Sequence, residues 1–242
     1  MQRYFAKEKT ESNNFILEES DIHHIKNVMR YEVGTKIEVI YAKKVYLCEI
    51  ENLVPLSLKV LETYDEDRDI PIKLTIAIGL VNEQKFDLII QKLTELGVDT
   101  IIPIKMERSI IKLEENKQEK RLERWNKICK EASEQSHRLT VPHVELPKTI
   151  NELITEEHEL KLVCSLSNNP KHLSEYLTNG LHDILFLIGP EGGIAPQEEE
   201  KLINNGFKTT TLGKRVLRVE TAAIYVAGII NYVYKGWLVW KI

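Results

Sequence analysis

From Ile72 onward the chain alternates short, nearly continuous apolar runs with longer stretches of helical periodicity, and few folds accept that rhythm. Ile72-Lys-Leu-Thr-Ile-Ala-Ile-Gly-Leu80, Thr100-Ile-Ile-Pro-Ile104, Leu160-Lys-Leu-Val-Cys164, Ile184-Leu-Phe-Leu-Ile188 and Lys208-Thr-Thr-Thr-Leu212 read as strands. A strand that is apolar at successive positions must be covered on both faces, so the pattern predicts a parallel sheet with helices on each side. The first helix carries Phe86, Ile89, Ile90, Leu93 and Leu96 on one stripe, and Gly97 is placed to end it. Further helices are expected at Lys120 to Arg138, Pro170 to Asn179, Pro196 to Asn205 and Glu220 to Tyr234.

Residues 1–70 follow a different rule. Lys36 to Tyr41 and Lys44 to Ile50 alternate polar and apolar residues, the period of half-buried strands, with Ala42 and Lys43 as the turn between them. One short helix interrupts them, with Ser20 as its expected N-cap and Ile22, Ile25 and Met29 as its apolar stripe. The acidic stretch Tyr64 to Pro71 ends in proline and reads as a linker, dividing the chain into domains 1–70 and 71–242.

Charge gives little direction. The net charge is −4, and the surplus of acids falls within residues 1–70, so any nucleic acid must be held by local basic patches. The chain turns polar at once after Met1, so no signal peptide is expected, and its apolar runs are too short to span a bilayer. Cys48, Cys129 and Cys164 lie far apart, without metal or redox spacing, as expected of reduced structural thiols in a cytoplasmic protein. The adjacent His23 and His24 have no third ligand nearby, so no metal is expected.

Chemistry concentrates in two loops. Ile188-Gly-Pro-Glu-Gly-Gly193 lies between a buried strand and a helix that starts at Pro196, and its glycines allow close approach of backbone to a ligand. The loop is neither a phosphate loop nor a dinucleotide fingerprint. Glu198, Glu199 and Glu200 at the following helix start would repel a phosphate, so a neutral or cationic cofactor such as S-adenosylmethionine fits better. The second loop, Leu212-Gly-Lys-Arg-Val-Leu-Arg-Val-Glu-Thr-Ala222, carries Lys214, Arg215 and Arg218 before Glu220 and Thr221 open the last helix. Such bases can hold RNA phosphate or an oxyanion on a base. A tight structural turn and a solvated basic loop would account for either segment taken alone. His137 is of a type that can serve as a base, although a histidine near a helix end more often answers the dipole. Arg3-Tyr-Phe5 and His23 to Arg30 mix basic and aromatic groups that can grip phosphates and stack on unpaired bases.

The ordered set Arg3-Tyr-Phe, His24 to Arg30, Ile90 to Gly97, Glu107-Arg-Ser109, Glu131 to Ser136, Leu187 to Gly193 and Leu217 to Ala222 resembles the ribosomal RNA small subunit methyltransferase E family of the SPOUT class. The resemblance implies an α/β domain with a deep trefoil knot behind an N-terminal PUA-like β-barrel. It implies a homodimer and a reaction that moves a methyl group from S-adenosylmethionine to uridine N3 in 16S ribosomal RNA, near the decoding centre of the small subunit. The cofactor is expected against Ser165, Leu166, Leu187, Ile188, Gly189, Pro190, Glu191, Gly192 and Gly193, and against Leu212, Gly213, Val216, Leu217, Thr221 and Ala222. Arg218 is expected to stabilise charge on the base, with Glu220 orienting it. RNA is expected to meet Arg3, Tyr4, Phe5, His24, Arg30, Lys85, Arg108, Gln135, Arg138, Lys214 and Arg215.

The chain departs from the family's basic, glycine-containing pattern in Val81-Asn-Glu-Gln-Lys85, where only Lys85 keeps a positive charge, and in Ile194-Ala195. Two other readings stay open: methylation of a ribose 2′-oxygen or another base, and a non-catalytic RNA-binding protein.

Overall fold

The structure is a computed structural model that describes residues 1–10, 14–111, 114–165 and 170–234. It divides into two compact units, Met1–Asp69 with Ser133–Thr140, and Ile70–Ala132 with Val141–Ile242. A boundary near residue 70 is therefore present, but the segment Ser133–Thr140 groups with the first unit, which the alternation of elements does not announce.

In the first unit, β1 (Arg3–Phe5), β4 (Lys36–Tyr41), β5 (Lys44–Leu53) and β6 (Leu56–Tyr64) form one sheet in the order β1-β4-β5-β6. A small ribbon of β2 (Glu8–Lys9) and β3 (Phe15–Ile16) lies beside it in sequence. Ala42 and Lys43 make the β4–β5 turn with φ of +50° and +62°, the left-handed pair that a two-residue hairpin requires. The expected acidic linker begins later than its composition suggests, because Tyr64 is still paired with Val45. The short helix α1 (Glu19–His23) starts one residue before the expected cap: Glu18 is the N-cap and no side chain caps it.

Arg3 organises this unit. It is fully buried, and its guanidinium donates to Glu38 Oε2 at 2.8 and 2.9 Å and to Glu66 Oε2 at 3.1 Å. It also donates to the carbonyl of His137 at 2.8 Å, where His137 is held at a φ of +58°. Burial pushes the Glu38 and Glu66 carboxyls up, but hydrogen bonds from Tyr64, Arg3 and Arg68, together with the arginine charges, hold both below the usual carboxylate range. A folded value depressed in this way stabilises the unit above the unfolded value and loses that stabilisation as pH falls through it.

In the second unit, β7 (Lys73–Gly79), β8 (Thr100–Lys105), β9 (His143–Val144), β10 (Lys148–Thr149), β11 (Leu160–Cys164), β12 (Lys171–His172), β13 (Asp183–Ile188) and β14 (Lys208–Thr211) form one sheet. Its order is β10-β8-β7-β13-β11-β14-β12 with β9 beside β8, and each pairing is parallel. The continuous apolar runs have the expected cause. Ile76, Ile78, Ile184 and Phe186 enter one core with α2 (Glu83–Glu95), α3 (Gln118–Gln135) and α6 (Val219–Tyr234). Ala77, Leu185 and Leu187 enter the opposite core with α4 (Ile150–Leu153) and α5 (Pro196–Asn204). Phe86 packs on Trp125 with ring centroids 4.7 Å apart. Asn82 caps α2 by accepting from Lys85 N at 2.9 Å. The helix expected at Pro170 to Asn179 is instead the short strand β12 and a single tight turn, Leu173–Glu175, capped by His172. Among the described residues, no helix is long and apolar enough to cross a membrane.

Replacing Arg3 with alanine removes the buried cation that Glu38 and Glu66 share and leaves Glu66 only the exposed Arg68. It should destabilise the protein by about 3–5 kcal/mol, the range for breaking a buried ion pair, as measured by chemical denaturation. The wild-type protein should also lose stability as the pH is lowered from about 5 toward 3, and R3A should show a flatter profile over that range.

Candidate functional site

The site lies at the carboxyl ends of β7, β13 and β11. These three strands are adjacent and in register, Ile78 opposite Ile188 and Leu187 opposite Val163. The chain fills one side of the sheet with β8 and β10 and then returns on the other side with β11 and β14, so the loops leaving β13 and its neighbours diverge and open a crevice.

What permits the crevice is close backbone contact. A Cβ on Gly79 would lie 2.5 Å from both Cδ and N of Pro190, so only glycine lets Pro190 sit over the end of β7. A Cβ on Gly192 would lie 2.9 Å from the carbonyl oxygen of Arg108, so the turn after β8 rests directly on the glycine loop. The Arg108 guanidinium reaches the carbonyls of Gly192 and Ile194 at 3.5 and 3.4 Å. Glu198, in the first turn of α5, completes the brace by accepting from Glu107 N at 2.9 Å and from Ala195 N at 3.3 Å.

These contacts enclose a cavity of about 830 Å³. One wall is Ile188, Gly189, Pro190, Glu191, Gly192, Gly193 and Ile194. The facing wall runs from Thr211 through Leu212, Gly213, Arg215, Val216 and Leu217 to Arg218, Val219, Glu220 and Ala222. Cys164, Ser165 and Glu199 close a third side, and Lys85 and Arg108 stand with the glycine loop. Burial pushes the Cys164 thiol up to about 11, so it is neutral at physiological pH.

Charge in the cavity is mixed and sorted. Arg108, Arg215 and Arg218 are exposed. Lys85 pairs with Glu191, and the Ser165 hydroxyl donates to Glu199. Glu220 has no such partner: its Oε2 is buried without a hydrogen bond among the described residues.

Most of the residues expected to hold a cofactor are brought together here: Ser165, Ile188 to Gly193, Leu212, Gly213, Val216, Leu217 and Ala222, with Arg218 and Glu220. Leu187 is not among them, because the alternation of β13 turns it into the core with Ala77 and Leu185. Thr221 is exposed on α6 outside the lining, and Leu166 lies outside the described residues. Lys85, Arg108 and Arg215, expected on RNA grounds, line the same cavity, while Lys214 is exposed but does not line it. Cys164, Ile194, Glu199, Thr211 and Val219 line the cavity beyond the residues expected to hold the cofactor, and Gly79 supports it through Pro190. Gly79 carried a signal, a glycine ending an otherwise apolar strand; the others needed three dimensions.

The remaining expected RNA contacts fall in the first unit. Arg3 is a correction: it is internal and its donors are taken up by Glu38, Glu66 and His137. Tyr4 is likewise buried, sharing a 2.9 Å hydrogen bond with His24 Nδ1, and burial pushes its hydroxyl ionisation up. Arg138 is buried and reaches Thr140 Oγ1 at 3.4 Å, and Phe5 packs on the small core of Ile40, Val45 and Leu139. Arg30 and Gln135 are exposed and His24 is half-buried.

A family model described as an RNA methyltransferase domain matches residues 68–231, and one described as an RNA methyltransferase PUA domain matches residues 17–60. The ribosomal RNA small subunit methyltransferase E of Bacillus subtilis (strain 168) is 36% identical over 252 aligned positions, spanning 96% of each chain. The chain belongs to the ribosomal RNA small subunit methyltransferase E family. Two solved structures have the same fold. One, a ribosomal RNA small subunit methyltransferase E from Neisseria gonorrhoeae bound to S-adenosyl methionine, is 30% identical with a TM-score of 0.87, over 97% of this chain and 98% of that one. The other, a methyltransferase from Legionella pneumophila in complex with its bound cofactor, is 26% identical with a TM-score of 0.89, over 96% and 97%. The cavity of this methyltransferase E family member, from Lys85 to Ala222, lies wholly within the span matched by the RNA methyltransferase domain.

Gly79→Ala should cost about 1–3 kcal/mol of stability, since Pro190 must move to admit the methyl group. Thermal melting against Gly228→Ala, where nothing lies within 4 Å of the added carbon and φ is not positive, separates crowding at Pro190 from the general effect of losing a glycine.

Proposed function

We propose that the protein transfers a methyl group from S-adenosylmethionine to N3 of a uridine in 16S ribosomal RNA, near the decoding centre of the small subunit. The observation that carries the reading is the cavity at the ends of β7, β13 and β11, built by Gly189–Gly193 and Leu212–Leu217 in a member of this family. Its residues suit the cofactor. A volume of about 830 Å³ accepts a nucleoside with an amino-acid tail, much of the lining is backbone and aliphatic, and the carboxylates of Glu199 and Glu220 favour a cation over a phosphate.

When bound, the cofactor supplies an activated methyl carbon on a positively charged sulfur. The protein's residues do the rest. The two loops orient the adenine and methionine portions so that little motion separates bound reactants from the transition state. Val216 is 78% exposed between Arg215 and Leu217, an apolar surface that a flat base can cover. Loss of the N3 proton to solvent water leaves negative charge on the uridine imide, and the Arg218 guanidinium stabilises it until the nitrogen bonds the methyl carbon. Lys214, Arg215 and Arg108 hold phosphates flanking the base, and exposed Arg30, Gln135 and half-buried His24 of the PUA-type unit supply further RNA contacts.

The same reading includes the trefoil knot of the α/β domain, a β-barrel form for the N-terminal unit, the domain limits 1–70 and 71–242, and a cytoplasmic location, with which the free thiols of Cys48, Cys129 and Cys164 agree. It includes a homodimer as well. Tyr225, Tyr232 and Val233 leave α6 with apolar side chains exposed by 45%, 80% and 43%. A second copy of the chain covers them.

The test incubates the protein with radiolabelled S-adenosylmethionine and small ribosomal subunits that lack base methylation, then digests the RNA and identifies nucleosides. 3-Methyluridine is the expected product. A 2′-O-methyl nucleoside or another methylated base would move the target and leave the cofactor site standing. Arg218→Ala should lower turnover by roughly 10²–10³-fold, as loss of an oxyanion donor does, with little change in cofactor affinity by calorimetry.

A further inference from the structure

We propose that Glu220 gives the cavity its preference for a positively charged ligand, so that the sulfonium methyl donor binds more tightly than the neutral thioether left after transfer. The inference rests on reading the cavity as the cofactor site.

Three glutamates line the cavity, and two of them already have partners. Glu191 is paired with Lys85, and Glu199 accepts from the Ser165 hydroxyl. Glu220 stands at the second position of α6 with its Oε2 buried and given no hydrogen bond among the described residues. The nearby bases Arg215 and Arg218 are exposed, and neither forms an ion pair with it. The positive end of α6 offsets part of its charge, but a helix start is worth only a fraction of a full counter-ion. A carboxylate held partly out of water gains when a cation enters the space against it, and its charge is shared by both oxygens, so the ligand need not reach Oε2 itself.

The consequence is directional. The methyl donor and its product share the adenine, the ribose, the α-ammonium and the α-carboxylate; they differ by the methyl group and the positive charge that it leaves on sulfur. A group that faces the sulfur distinguishes them, while a group that faces any shared part cannot. Placing the unpartnered carboxylate against the sulfur attracts the donor and loosens the product once its charge has gone.

Calorimetry on the full chain decides the question with three probes: S-adenosylmethionine, S-adenosylhomocysteine and sinefungin, whose amine restores a cation where the sulfonium stood. The wild type should bind the two cations roughly tenfold more tightly than the thioether, with the preference shrinking as salt is raised. Glu220→Gln should abolish that preference by weakening the cations while leaving S-adenosylhomocysteine within about twofold, and Glu220→Asp should retain much of it. Equal weakening of all three by E220Q, no change in any of them, or a wild type that binds all three alike and without salt dependence would each overturn the assignment. The wild-type salt series stands even if E220Q does not fold. A wild type that binds none of the three would instead overturn the cofactor reading itself.

Discussion

The contact of Pro190 with the bare backbone of Gly79 is the constraint on which the site depends. Adjacent parallel strands are spaced by their hydrogen bonds, and a side chain at the end of β7 would push the loop leaving β13 away from the sheet. With only a hydrogen there, the loop turns tightly enough to fold back on itself, and Gly192 can then take the turn after β8 on its surface. Glu198 fixes that stack from the helix side by accepting from both Glu107 and Ala195. The cavity is thus bounded by backbone whose position is over-determined, which is what pre-organised binding of a flexible ligand requires.

The first unit depends on one residue in the same way, but with charge instead of shape. Arg3 sits on a three-residue strand, and its donors gather Glu38 from β4, Glu66 from beyond β6 and the carbonyl of His137. Such a cluster adds to apolar packing where strands are short. Each acceptor is a residue far away in sequence, so the cluster also specifies which segments close the sheet. The segment Arg3-Tyr-Phe5 looks like a nucleic-acid grip because arginine and aromatics are what such grips use. The same residue types build a buried polar network when acidic partners are supplied, and the sequence by itself does not say which partners arrive.

This difference explains what was legible. The parallel sheet, both functional loops and the position of Arg218 and Glu220 follow from local patterns: continuous apolar strands, glycines at strand ends, bases before a helix start. The motif read as a block puts Leu187 with the loop, whereas the pleat turns alternate residues of β13 to opposite sides and Leu187 into the core. Pro170 and the following residues have the pattern of a helix start, yet β12 pairs with β14 and holds the chain extended before the tight turn at Leu173–Glu175. Ser133–Thr140 could not be placed with the first unit from periodicity, since its association rests on Arg3 and on Leu139 packing with Ile40 and Val45.

The charge layout of the cavity adds a last physical step. Exposed arginines keep a permanent charge, present a planar fork of donors and are weakly hydrated, which suits them to phosphates that arrive from solvent. The carboxylates lie deeper: Glu199 accepts from the buried Ser165, and Glu220 has a buried, unpartnered oxygen at the start of α6. A polyanion approaching from solvent is therefore attracted to the arginines and opposed further in, while a small cation is favoured where the polyanion is not. Two ligands of opposite charge are kept apart until their reactive atoms meet, and neither can occupy the other's place. That sorting needs no moving part, because it is written in which side chains are given partners and which are left without.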